Sequence, residues 1–447
     1  MKKYLIILFG IILIIPLNAQ ESLSLSLDEA IAYALENSYA TINANRDIDL
    51  SVQKNKETVA FGLPQLSAGV DYNYWIKQQI SLIPAEFGGG EQGEFVEVVF
   101  GTKNNMSATA TLTQVIFDGS YVVGLKYLST FMQISQDSKE KTEQAIREAV
   151  INAYGNVLFT EEGISILKKN VATLEKNLEE TNQIYLNGFA EEESVEQLKL
   201  TLSSLKISLS RTEKLKSINY KMFNITIGAD INNNTTLTDK LDDLTTENIQ
   251  FNLLAEEFKI EDHIDFRIAE NRLTGMEALV KLEKSKALPT LNSFVNFGYQ
   301  GYSESFSFHK KYQDWFDSSL LGVSLDIPIF SGFATSSRTQ QAKIEYDKAK
   351  TDLEQTSQKV LLQLETAKIE YQYRIEEFET AKQNLDLAER IEKKQEVKFF
   401  EGISTSFDLT NAQNQLYTMQ QNYLQVMLDV IAAKASLDKA LNSPIIN

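Results

Sequence analysis

The chain is written twice, and that duplication constrains its fold more than any other feature. Gly62-Leu63-Pro64-Gln65-Leu66 returns as Ala287-Leu288-Pro289-Thr290-Leu291, 225 positions on. Ile116-Phe117-Asp118-Gly119 returns as Ile329-Phe330-Ser331-Gly332, 213 positions on, and Tyr185-Leu186-Asn187-Gly188 as Phe399-Phe400-Glu401-Gly402, 214 positions on. One such echo arises by chance; three in order, with one length change between the first two, do not. A fold for this chain must therefore accommodate one structural unit used twice.

Each half reads helix, strand, strand, long helix, turn, helix. Ser26-Leu27-Asp28-Glu29 is a capping box that opens the first helix, whose apolar stripe is Leu27, Ile31, Ala34 and Leu35 and which runs toward Pro64. No proline interrupts Gly119 to Asn187 or Gly332 to Glu401. At 1.5 Å per residue each stretch makes about 100 Å of helix. The helices carry heptads. Leu409, Ala412, Leu416, Met419, Tyr423, Val426, Val430, Ala433, Leu437 and Ala440 step by three and four, as do Val195, Leu198, Leu202, Leu205 and Leu209. Val150, Val157, Ile164, Val171, Leu178 and Tyr185 recur every seventh residue, and their counterparts are Leu364, Tyr371, Phe378, Leu385, Glu392 and Phe399. A 3.5-residue period demands neighbouring helices packed as in a coiled coil. Heptads alone fit a soluble filament or bundle equally well.

The strands argue against that alternative. Met106, Ala108, Ala110, Leu112 and Ile116 share one face, and Ser107, Thr109, Thr111 and Thr113 the other. Val295, Phe297 and Tyr299 alternate with Asn296, Gly298 and Gln300; Leu321, Val323, Leu325, Ile327 and Ile329 alternate with Gly322, Ser324 and Asp326. Strands of about ten residues, apolar out and polar in, suit a transmembrane β-barrel. Tyr72, Tyr74, Trp75, Phe306, Trp315 and Phe316 lie near strand ends, where interfacial aromatics belong. Four strands cannot enclose a pore alone, so such a barrel needs several chains; an ordinary two-sided sheet is the plainer alternative.

Composition narrows the compartment. Lys2 and Lys3, the apolar run Tyr4 to Ile15 and the small Ala19 form a secretory signal peptide over residues 1–19, too short for a membrane anchor. No Cys exists to carry a lipid, a disulfide or a thiolate metal site. The net charge of −18 becomes −20 without the leader's two lysines, which disfavours nucleic acid as a partner. No later segment is apolar enough to span a bilayer as a helix, so any crossing must be made by strands.

Leu27-Asp28-Glu29-Ala30 with Asn37, Leu63-Pro64, Ile116-Phe117-Asp118-Gly119, Pro328-Ile329-Phe330-Ser331-Gly332 and the turn from Gly402 to Leu409 resemble the TolC-like outer membrane efflux protein family. In order and spacing these weak motifs cover nearly the whole mature chain. The resemblance implies a mainly α fold with a transmembrane β part: a homotrimer closing a twelve-stranded β-barrel, four strands per chain, on a long α-helical periplasmic tunnel. The first repeat then spans 20–228 (strands about 65–83 and 95–117, long helix 119–187, helix 191–227). An equatorial segment covers 229–260, and the second repeat 261–441 (strands about 290–303 and 317–329, long helix 332–401, helix 404–441), followed by a tail at 442–447. Pro64, Gly119, Pro289 and Gly332 fall at the four helix–strand junctions. The location implied is the outer membrane of a Gram-negative bacterium, reaching into the periplasm. The partners implied are outer-membrane lipid, a periplasmic membrane-fusion adaptor, and an inner-membrane pump of the RND or ABC type. Small-molecule efflux is the function implied, with type I protein secretion as the alternative.

Gly188 and Gly402 fall where the long helices reverse, and the family's adaptor docks at those turns, which include Glu191, Glu192, Glu193 and Ser194 here. The resemblance makes Asp408 a lumen-facing acid that threefold symmetry turns into a ring, repelling its copies and attracting cations. Helix N-terminal acids are also favoured by the macrodipole, and Asp408 fits that role too. The family's second acid is Asn411 here, a turn cation is Ser404, a turn tyrosine is Phe399, and Ser194 stands where the first turn would carry an acid. With those polar links gone, apolar packing at Phe399 and Phe400 is expected to do more of the closing. No cofactor is expected. Glu261-Asp262-His263-Ile264-Asp265 is the strongest candidate for metal chemistry, but neighbours on one helix cannot converge on an ion. It aligns with Glu36-Asn37-Ser38, so a helix-start role accounts for it. No phosphate loop or nucleophile motif supports an enzyme. A periplasmic adaptor would lack the two amphipathic hairpins and the full-length duplication.

Overall fold

The computed structural model describes residues 23–442; the leader expected at 1–19 and most of the expected tail lie outside them. In chain order the elements are β1 (Leu23–Leu25), α1 (Leu27–Asn37), α2 (Tyr39–Ala60), β2 (Gln65–Tyr74), β3 (Ile80–Pro84), β4 (Phe95–Val99) and β5 (Asn104–Phe117). Then come α3 (Gly119–Lys126), α4 (Leu128–Leu186), α5 (Glu192–Ile227), β6 (Thr235–Leu237), α6 (Leu241–Glu247) and α7 (Ile264–Ser285). The chain finishes with β7 (Thr290–Ser303), β8 (Trp315–Asp326), α8 (Ala334–Phe400) and α9 (Ser406–Ala440). These form two compact units. One gathers residues up to Ile48, Ile134–Glu270 and Asp352 onward; the other Asp49–Gln133 and Asn271–Thr351.

Helix packing builds the first unit. Ser26 and Glu29 cap α1 reciprocally: the Ser26 N–H donates to Glu29 Oε2 at 2.8 Å, and the Glu29 N–H to Ser26 Oγ at 3.3 Å. The first helix does not run unbroken toward Pro64. Ser38 adopts an extended ψ of 144° and ends α1, and its hydroxyl accepts the Thr41 N–H at 3.2 Å to start α2. Side-chain competition for backbone donors is the reason a serine can interrupt a helix this way. The β1 strand pairs in parallel with β6, so the start of the chain is tied to the segment between the repeats. That equatorial segment also holds α6 and a short 3-10 turn at Phe251–Ala255; a second, Ile260–Asp262, straddles its boundary with the second repeat.

The heptads pack as pairs. Leu167, Val171 and Leu174 of α4 meet Leu198, Leu202 and Leu205 of α5. Leu364, Ala367, Tyr371 and Ile375 of α8 meet Ala433 and Leu437 of α9. A larger cluster joins α1, α4, α5 and α9 around Tyr154, Phe223, Ile227, Val430 and Ile431, with Tyr154 and Phe223 edge to face at 5.8 Å. There α9 buries more than its heptad stripe. Leu424, Met427 and Ile431 make a second stripe at helical spacing, because α9 is covered on two sides. The buried Asp137 of α4 accepts from Arg267 of α7, which also reaches Glu140.

The second unit is a four-stranded antiparallel sheet, order β2-β5-β7-β8, with the adjoining helix ends. Each repeat contributes one hairpin, and β5 and β7 join the two. The first pair is shorter than the expected 65–83 and 95–117. The sheet strands stop at Tyr74 and start at Asn104, and β3 and β4 form a separate two-stranded ribbon in the loop. The strand expected at 317–329 is instead 315–326, so Ile327 and Ile329 lie beyond it. The long helix expected from 119 breaks at Tyr127, whose ψ of 8° ends α3. Its phenol accepts the Lys281 ammonium of α7 at 2.7 Å.

Candidate functional site: an amphipathic sheet and two hairpin turns

Strand register sorts the sheet's side chains into two faces. One carries Leu66, Leu112, Val295 and Leu321 in one row, Ala68, Ala110, Phe297 and Ser319 in the next, then Val70, Ala108, Tyr299 and Asp317. The other carries Ser67, Thr111, Asn296 and Leu320, then Gly69, Thr109, Gly298 and Ser318, then Asp71, Ser107, Gln300 and Phe316. The first face is apolar and bare: Leu66 is 74 % exposed, Val70 63 %, Leu321 73 % and Val323 66 %. The second is small and polar, interrupted by Phe294 of β7 and by Leu320 and Phe316 of β8, while Ser319 and Asp317 are the polar members of the first face on β8. A water-soluble sheet buries its apolar face; this one leaves it uncovered within the chain.

The four junction residues do not share one mechanism. Pro64 and Pro289 each precede a strand, where a fixed φ and a missing donor are tolerated. Asp118 caps α3, its Oδ1 accepting from the Ser120 and Tyr121 N–H groups at 2.7 and 3.1 Å. Gly119 is needed for space, since a Cβ there would stand 3.1 Å from the Ser285 carbonyl oxygen. Its counterpart Gly332 instead needs its conformation, with φ 60° followed by φ 66° at Phe333.

The two reversals are built alike. Gly188 and Gly402 adopt φ of 81° and 73°. The next residue's N–H returns to a carbonyl five back, Phe189 to Ile184 at 3.0 Å and Ile403 to Lys398 at 2.8 Å. That is the αL ending which glycine permits. In the first turn Glu191 sits at the N-cap without a side-chain bond, and Glu192 and Glu193 are exposed in the first turn of α5, with Ser194 half-buried behind them. Gln197 links the turns: its Nε2 donates to Glu193 Oε1 at 3.0 Å, and its Oε1 accepts from Ser406 Oγ at 3.2 Å.

In the second turn Thr405 is the N-cap of α9 and Asp408 completes a capping box. Asp408 Oδ2 accepts from the Thr405 N–H at 3.1 Å and its hydroxyl at 2.7 Å. Those bonds hold the Asp408 carboxyl below the usual carboxylate range. Phe399 and Phe400 meet edge to face at 5.3 Å, the Ser404 hydroxyl is buried without a partner, and Asn411 is exposed.

One heptad back lies a polar layer among otherwise apolar ones. Glu392 occupies the position held elsewhere on α8 by Leu364, Tyr371, Phe378 and Leu385. Burial pushes its carboxyl up, and Glu396 adds to the effect while Gln413 tempers it. Burial, and then the Glu392 charge, push the Tyr417 phenol up. Gln413 is buried, yet neither amide atom makes a well-formed hydrogen bond; Asn177 of α4 is buried with its Nδ2 unpartnered. The only sequence trace of this layer is the charged residue in an apolar heptad series.

The expected metal candidate is a helix start. His263 is buried and its Nδ1 accepts the Asp265 N–H at 3.2 Å, at the position that Ser38 holds in the first repeat. Among the described residues no group of three or more His, Asp or Glu could hold a metal ion, and no helix is long and apolar enough to cross a membrane.

Fold and site define a class: a duplicated helical-hairpin protein whose sheet offers a bare apolar face. Residues 260–443 match the family model described as outer membrane efflux protein. Outer membrane protein TolC of Vibrio cholerae is 21 % identical over 340 residues, which are 76 % of this chain and 77 % of that protein. The crystal structure of CusC matches with a TM-score of 0.72 at 14 % identity, covering 93 % of this chain and 92 % of that one. VceC of Vibrio cholerae matches at 0.70 and 15 %, covering 93 % and 95 %. Residues 260–443 are therefore similar to the outer membrane efflux protein family, and the chain as a whole has the fold of the CusC and VceC structures.

Proposed function

We propose that three copies of this chain close their four-stranded sheets into one twelve-stranded barrel. The assembly is then the passive outer-membrane duct of a tripartite efflux system for small molecules and performs no chemistry. The bare apolar face carries the proposal. With β2 and β8 as open edges, the sheet can satisfy both its edges and its apolar surface only by pairing with further copies in lipid. Tyr72, Trp75, Phe306 and Trp315 then lie at the interfacial level, and the Thr, Ser, Asn and Gly face lines the water-filled interior.

In this assembly the helical turns form the periplasmic mouth. Asp408, repeated by symmetry, makes an acidic ring that favours cations while capping α9; Asn411 and Ser404 add polar lining without charge. Phe399 against Phe400 supplies apolar closure. The adaptor, serving an inner-membrane pump, docks at the turns around Gly188 and Gly402, with Glu191, Glu192 and Glu193 as its acidic contact surface.

A matched pair of lysine substitutions tests the barrel. Leu321→Lys puts a charge toward lipid, at a cost of about 2–4 kcal/mol at mid-depth, and should prevent assembly of a heat-sensitive trimer in outer-membrane fractions. Asn296→Lys, on the opposite face, should assemble normally. Equal behaviour of the two variants would refute the assigned faces.

A further inference from the structure

We infer that the mouth of the sheet carries a binding site for the phosphate of anionic lipid headgroups, formed by Lys310 and Lys311 of the β7–β8 loop with Lys77 and Lys103. This rests on the barrel reading and adds a ligand class to it.

The aromatic residues fix the level. Tyr72, Met106, Gly301 and Trp315 form one row across the apolar face. The β7–β8 loop folds down onto that row. Phe306 and Phe308 meet the Tyr72 ring edge to face at 5.5 and 5.9 Å, and Phe308 meets Trp315 at 6.0 Å. Gly301 makes the room, since a Cβ there would lie 3.2 Å from the Phe308 ring. The Tyr72 hydroxyl is anchored by donating to Asn104 Oδ1 at 2.7 Å. The loop is thus held on the side that faces lipid rather than over the interior.

Cations follow immediately beyond this aromatic row. His309 stacks on Phe306 at 5.9 Å, and the Lys310 ammonium lies 5.4 Å from the centre of the exposed Tyr312 ring. Across the sheet, the Trp75 N–H donates to the Lys103 carbonyl at 2.8 Å, which sets Lys103 level with Trp75 and Lys77 two residues further out. All four lysines are exposed, and none forms an ion pair among the described residues, although Glu304 and Asp314 flank the loop. Rings at the polar–apolar boundary with unpaired ammonium groups just outside them meet headgroup phosphates at the depth where both are satisfied. The acids of the β3–β4 ribbon, Glu86, Glu91, Glu94 and Glu97, lie further along the chain from the sheet and offer the lysines an alternative partner in a neighbouring copy.

The test uses the full chain, assembled in phosphatidylcholine nanodiscs containing spin-labelled phosphatidylglycerol or phosphatidylcholine. The immobilised signal of the wild type should prefer the anionic lipid about five-fold, the weight of one lysine at a charged surface. The combined variant Lys77→Gln, Lys103→Gln, Lys310→Gln, Lys311→Gln should fall to about parity while its trimer still forms. Absence of preference in the wild type, or its retention in the variant, would overturn the assignment. So would loss of the preference on adding inorganic phosphate, which would indicate a free-anion site. A variant whose trimer melts lower in phosphatidylcholine alone, with lipid preference intact, would assign the lysines to the neighbouring ribbon instead. Failure of the wild type to enter nanodiscs would remove the barrel reading, and this inference with it.

Discussion

Replacing Glu392 by Leu should make the protein more stable, against the usual direction for a change in a packed seam. On α8 the series Leu364, Tyr371, Phe378, Leu385 is interrupted at Glu392, which is half-buried among Glu396, Gln413 and Tyr417. Its folded carboxyl titrates above the unfolded value of 4.5, because burial and Glu396 disfavour the charge. The sign follows from linkage. A raised folded value stabilises below pH 4.5, and that contribution is lost as pH rises through the folded value. At neutral pH the wild type therefore carries the full penalty. Leucine removes it and adds apolar burial; half of the usual gain for a fully buried Leu is about 1 kcal/mol. For a unit of this size that raises the melting temperature by about 2–4 °C. Thermal loss of helical circular dichroism in detergent at pH 7.5 measures it, with Glu392→Gln as the control that removes charge without adding apolar surface. The gap between wild type and Glu392→Leu should narrow as pH falls toward 4.5. A Leu variant that melts at or below the wild type at pH 7.5, or a gap that pH does not change, would refute the reasoning.

Two further outcomes follow from the same contacts. His263 is buried and its titration lies below 6.5, chiefly because of that burial, so the unfolded chain takes up its proton first. Its contribution to stability is intact above about pH 6.5 and declines below it, since protonated Nδ1 cannot accept the Asp265 N–H. Melting temperatures between pH 7.5 and 5 should fall less steeply in His263→Asn, which keeps a side-chain acceptor; parallel curves would count against this. Phe399→Ala removes half of the 5.3 Å ring pair at the second turn and should raise single-channel conductance in planar bilayers. An unchanged closed level would remove Phe399 from the gate.

Much of this was legible in residue order. The capping box at Ser26, the heptads of α4, α5, α8 and α9, and the alternation in β5 and β7 are local patterns, set by residues two to four apart. The turn glycines were legible for the same reason, since a positive φ requires the residue itself to permit it. The layer at Glu392 showed only as a charge where an apolar residue was due. That Gln413 lies in it was not legible, because it comes from another helix.

Sequence alone determined that the chain has two matching halves, rod-like helices that pair, and strands with one apolar face. Tertiary structure decided what those elements touch: the β5–β7 join between repeats and the second buried stripe of α9. It also separated Gly119, where a Cβ would crowd a carbonyl, from Gly332, which needs its left-handed backbone. The physical reason is range. Periodicity is enforced within a few residues, whereas a packing partner, a clash or an uncovered face exists only once segments some two hundred residues apart have met, as Ala108 and Tyr299 do.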